Sequence, residues 1–221
     1  MRRLFALMML LQGCNGLCLA QTYQLESWNP STGSRGFATA ICIGESDVDL
    51  HAYVLLTARH NISEGDIVSI ETRPHRWVNV QSNRTVKHPT ADVAILEVCG
   101  DPLKVTDLVE AVPHGADVRV TGCNPLILKL SEDGYFYARS DGEDTLTGNY
   151  HAAVGDSGGG VFYNGCLAGI VSGHESTGQG TATRRTQFTG ARTVVVPAST
   201  ITQFVKTQYN CPNGRCRINI R

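Results

Sequence analysis

Long apolar runs are missing from this 221-residue chain. Beyond Leu11, no stretch approaches the roughly 18 uninterrupted apolar residues that a membrane-spanning helix needs. A basic excess is missing too, with 19 Lys and Arg against 20 Asp and Glu. Taking away Arg2 and Arg3 leaves 17 basic residues against 20 acidic and a net charge near −3, so nothing points to a nucleic acid partner. No CxxC pair and no His/Cys cluster occurs, which argues against a structural zinc site. No metal or organic cofactor is expected. Helical periodicity is absent before the C-terminal part of the chain, which argues against a helical bundle or an alternating α/β fold.

The chain opens with MRRLFALMMLLQGCNGLCLA. Two arginines, an apolar run from Leu4 to Leu11 and a small residue, Ala20, before Gln21 read as a secretory signal peptide over residues 1–20. The expected destination is secreted or periplasmic. The same segment contains LQGC, similar to the lipobox at which lipoproteins are acylated, so a lipid anchor at Cys14 is an alternative to plain secretion. Six cysteines follow the leader, and an even count in an exported chain makes disulfides plausible. In CPNGRC the Asn213-Gly214 turn would bring Cys211 and Cys216 together.

Short apolar or alternating runs then recur between turn residues: FATAICI, AYVLLTA, DIVSIET, RWVNVQ, DVAILEV, DVRVTGC, GYFYARS, GVFY, CLAGIVS and RTVVVP. That rhythm predicts an all-β sandwich or barrel. ASTITQFVKTQ, residues 198–208, is the exception, a helix with Ile201, Phe204 and Val205 on one face. A weak boundary near residues 99–116 divides the chain into two β-rich halves, 21–108 and 109–208, followed by a tail over 209–221. Residues 175–192, rich in Gly and Thr, read as a long surface loop.

GDSGGG, residues 155–160, sets one serine among four glycines. A serine hydroxyl is a poor nucleophile near neutral pH unless a base, usually a histidine held by a carboxylate, stands beside it. Seven histidines are available. His60 closes LLTARH and Asp92 opens DVAILEV, both at strand ends where a rigid scaffold presents reactive groups. GDSGG also fits the G-x-S-x-G elbow of α/β-hydrolases, but that fold places its acid and histidine after the serine. Only His174 follows Ser157.

Taken together, TARH, DVAIL and GDSGG, in the order His, Asp, Ser, resemble the motifs of the trypsin-like serine proteases over about residues 36–208. The resemblance implies two packed six-stranded antiparallel β-barrels with a C-terminal helix. It implies a serine endopeptidase with Ser157 as nucleophile, His60 as general base and then acid, and Asp92 orienting the imidazole. The backbone N–H groups of Gly155 and Ser157 would form the oxyanion hole. A binding module that keeps the fold without turnover is the alternative.

Departures from the family pattern are informative. No IVGG-like sequence follows Ala20, so Asp156 needs a partner other than a new N-terminal amine. Asn61 stands where the family has a cysteine, leaving Cys42 without its usual mate, and Arg59 replaces the usual alanine. Asn61 and Asn83 head sequons in form, read as chance. By alignment, His151 lies at the base of the primary pocket, Ser172 on the substrate-pairing strand, His174 at the pocket mouth and Arg192 near its floor. Three basic or potentially basic groups imply an acidic residue before the scissile bond, since a buried cation demands a partner.

Overall fold

The computed structural model describes residues 22–46, 51–80, 84–122, 136–140, 145–148, 155–175, 192–208, 216–218 and 220. The leader, Cys14, Cys123, His151, Cys211, Asn83 and nearly all of the Thr/Gly-rich loop lie outside the described residues. Among the described residues no helix is long and apolar enough to cross a membrane.

The first half is an antiparallel sheet of β1 (Thr22–Trp28), β2 (Arg35–Ser46), β3 (Ala52–Thr57), β4 (Ile67–Arg73), β5 (Arg76–Asn79), β6 (Val86–Lys87) and β7 (Ala94–Cys99). Their order is β5-β4-β1-β2-β3-β7-β6. The second half comprises β8 (Asp117–Thr121), β9 (Phe136–Ser140), β10 (Thr145–Gly148), β11 (Gly160–Tyr163), β12 (Cys166–Glu175) and β13 (Arg192–Pro197). These close into a barrel in the order β10-β13-β12-β11-β8-β9. The helix α1 (Ala198–Gln208) follows β13 directly, and Ile201, Phe204 and Val205 are buried as the periodicity predicts.

The second half thus matches the expected six-stranded barrel, whereas the first is larger. A late strand, β14 (Cys216–Ile218), returns from beyond α1 to pair with β2, making eight strands. Residues after the helix, expected as a tail, therefore complete the first sheet. The reason lies in the length of β2. Its 12 residues outrun β1, which pairs only as far as Ile41, and β14 takes the remaining edge from Gly44 to Ser46.

Alternation along β2, β3 and β7 explains why those segments read as nearly unbroken apolar runs. Ala38, Ala40, Cys42, Leu55, Leu96 and Val98 face a core enclosed by the first sheet. Their neighbours Ile41, Ile43, Val54, Leu56 and Ile95 face outward and are buried all the same, against Phe162, Ile170, Val196 and the apolar stripe of α1. A strand buried on both faces loses the polar half of its period. The second barrel has a small core of its own, Val118, Val120, Val161, Val171 and Val195. The joint between the halves is therefore a hydrophobic core in its own right, and the candidate site sits at its edge.

Cys42 belongs to the core of the first sheet. Its thiol is pushed up to about 12 by burial and donates only to Gly44 O at 3.7 Å, so it packs as a small apolar side chain.

Candidate active site

His60 sits in a single 3-10 turn, Arg59–Asn61, just past β3, entered through the extended residue Ala58. Asp92 lies in the loop between β6 and β7. Two hydrogen bonds join them: the backbone N–H of His60 donates to Asp92 Oδ1 at 3.0 Å, and His60 Nδ1 meets Asp92 Oδ2 at 2.7 Å. The imidazole side chain remains 50% exposed, against 26% for the carboxylate, so the ring faces solvent while its partner is sheltered.

A third donor comes from the other half of the molecule. The register between β12 and β13 shifts between Val171 and Gly173, a bulge at Ser172 of the kind that re-aims a side chain. The Ser172 hydroxyl donates to Asp92 Oδ2 at 2.5 Å. Burial alone would raise the Asp92 carboxyl. The bonds from the His60 ring, the Ser172 hydroxyl and the His60 amide outweigh it and hold the group at about 2. At neutral pH the carboxylate is charged and fully engaged, as an imidazole-orienting group must be.

Ser157 lies in the loop before β11. Gly155 has φ +97° and Gly158 φ +84°, left-handed values that favour glycine. Within the loop, Gly159 N–H donates to Asp156 O at 2.8 Å, and Gly158 N–H to Val171 O at 2.7 Å. The amides of Gly155 and Ser157 have no backbone acceptor among the described residues. Asp156 is 1% exposed and packs on Gly122, where a Cβ would fall 2.8 Å from Oδ1. The Ser157 hydroxyl itself donates to the carbonyl of Ser172 at 3.4 Å rather than to His60.

Residues that the motifs do not mark tie the serine loop to the first sheet. Thr39 of β2 donates its N–H to Ser157 O and its hydroxyl to Gly155 O, each at 2.9 Å. Asn61 Nδ2 donates to Ser157 O at 3.2 Å and to Thr57 Oγ1 at 3.1 Å, and Thr57 donates on to Thr39 O at 2.7 Å. Asn61, where a cysteine was expected, is thus a cross-link of another kind. Its side-chain amide is engaged on both sides. Departure from the family pattern at Asn61 was the sequence signal; Thr39 gave none.

The proposed pocket residues are only partly visible. His151 lies outside the described residues. Backbone register places His174 opposite Thr193 and Arg192 opposite Glu175, an offset of one residue, which does not put His174 and Arg192 on the same face of the sheet. Ser172 is on β12 as expected, with its side chain given to Asp92.

No family model matches the chain, and no curated protein matches it. Among solved structures it is similar to the active form of the Rv3671c protease from M. tuberculosis. The TM-score is 0.58 at 19% identity, covering 84% of this chain and 79% of that one. At that identity the likeness is one of fold, and the fold is trypsin-like.

Proposed function

We propose that this chain, with its trypsin-like fold, is an exported serine endopeptidase acting through Ser157, His60 and Asp92. The observation that carries the reading is the pair of hydrogen bonds between His60 and Asp92, through ring and backbone, beside a serine loop in which the Gly155 and Ser157 amides meet no backbone acceptor among the described residues. His60 Nε2 takes the Ser157 proton as Oγ bonds the substrate carbonyl carbon. The resulting oxyanion accepts hydrogen bonds from the Gly155 and Ser157 amides. His60 then protonates the leaving amine, the C–N bond breaks, and an acyl-enzyme remains. Water, deprotonated by His60, attacks the ester and releases the acid, with the proton returning to Ser157.

Further parts of the reading concern the surroundings of this site. The leader directs export, with acylation at Cys14 as the competing fate, and Cys211 pairs with Cys216. His151, His174 and Arg192 favour an acidic residue before the scissile bond.

A fluorophosphonate probe tests the core of the proposal. Parent protein should be labelled at Ser157, and Ser157→Ala and His60→Ala should not. A folded parent that resists the probe would favour a binding module instead. A peptide library then tests the pocket reading, since cleavage after Glu and Asp supports the acidic preference and cleavage after apolar or basic residues overturns it.

A further inference from the structure

The loop that delivers Asp92 runs from His88 to Val93 and closes on itself, with His88 N–H donating to Val93 O at 2.9 Å. A loop this tight leaves amides and carbonyls without ladder partners, and each must find one. Two side chains supply them. His88 Nδ1 accepts from Ala91 N–H at 2.8 Å and from Thr90 N–H at 3.2 Å. Arg59 Nη1 donates to Pro89 O at 2.9 Å and to His88 O at 3.1 Å. Accepting at Nδ1 requires the neutral tautomer with its proton on Nε2. The ring is held edge-on to Phe204 of α1, centroids 4.9 Å apart at 74°, so the plane of the acceptor is set by the joint between the halves.

We infer that His88 and Arg59 are positioning residues for the proposed triad: a clamp that fixes the His88–Val93 loop from inside and outside and thereby sets Asp92 against His60. Arg59 is the residue immediately before His60, so the clamp binds the base's own turn to the acid's loop independently of the Asp92 carboxylate. The inference rests on the protease reading for its functional meaning. Its geometry stands apart from it.

The test exploits atom position. An asparagine at 88 presents its carbonyl oxygen where Nδ1 now lies and accepts from amides two and three residues on, as in an Asx turn. A glutamine places its oxygen one bond farther out. In full-length protein, amide hydrogen exchange at Thr90, Ala91 and His60 reports the clamp, the His60 amide being bonded to Asp92. Protection at these amides should fall at least about tenfold in His88→Gln and His88→Ala, and stay within about threefold of the parent in His88→Asn. Arg59→Met should lower protection at His60. The probe-labelling rate at Ser157 should follow the same ranking, with losses on the order of tenfold to a hundredfold. Should His88→Ala fail to fold, the Asn and Gln pair carries the same contrast. Equal behaviour of Asn and Gln, or unchanged His60 protection in His88→Gln, overturns the inference. A parent that is exchange-protected yet never labelled leaves the clamp standing and removes the protease reading.

Discussion

His60 and Asp92 stand 32 residues apart at strand ends of the first half, while the Ser157 loop reaches the first half through bonds spanning 96 and 116 residues. The first pair is built in place: ring, amide, Arg59 and His88 hold it with groups from adjacent strands. The serine loop hangs on the second barrel and is brought into register only where Thr39 and Asn61 receive it. The His60–Asp92 pair is thus held mainly from within the first half, and the Ser157 loop meets it where the two halves dock. Ser172 crosses in the other direction, from β12 to Asp92.

Breaking the docking should separate the two regions. The largest effect is expected from Gly158→Ala. Its φ of +84° disfavours any side chain, and an added Cβ would run into Thr39 O and Thr57 Oγ1 of the first sheet. Labelling of Ser157 should fall on the order of a hundredfold or more, while exchange at the His60 amide stays as in the parent. Loss of both together would show that the halves are not separable. Asn61→Ala removes one of two donors to Ser157 O and leaves Thr39 N–H in place, so a decrease of about tenfold is expected, again with His60 protected.

Ser172→Ala should act on the first region alone and most gently. Asp92 is depressed from 3.8 to about 2, so its contribution to stability is present above about pH 4 and is lost as pH falls toward 2. Removing the Ser172 hydroxyl raises the folded value and narrows that window. Thermal melts at pH 7 should show the variant destabilised by about 1–3 kcal/mol, and the difference should vanish near pH 2. A difference that persists at pH 2 would place the role of Ser172 in packing rather than in the carboxylate.

What the sequence made legible follows from range. TARH, DVAIL and GDSGG are contiguous, and each segment folds into a local turn, so its residues could be named in advance. The apolar runs were visible because β2, β3 and β7 are buried on both faces, and α1 because its stripe has a clean period. TYQLESW was passed over as β1: its inward residues Tyr23 and Leu25 are few, and Gln, Glu and Ser separate them. TLTG and CRI, β10 and β14, are too short to carry a period. Thr39 and His88 left no mark because their partners are set by pairing across the sheet or by the shape of one loop. Arg59 and Asn61 stood out only as departures from a pattern.

The placement of β14 has a consequence for how the protein is made. β1 and β14 lie end to end along the same edge of β2, Thr22 opposite Ile41 and Ile218 opposite Gly44, and Ile220 bridges to Leu108 on the way between the halves. During synthesis the first sheet waits, one edge of β2 open, until about 170 later residues have left the ribosome. Every residue of the proposed triad is translated before that strand arrives. A chain interrupted after α1 would carry all three and still present an unpaired strand edge to its neighbours, so completion of the fold, and with it protection from aggregation, is timed by the last strand to emerge.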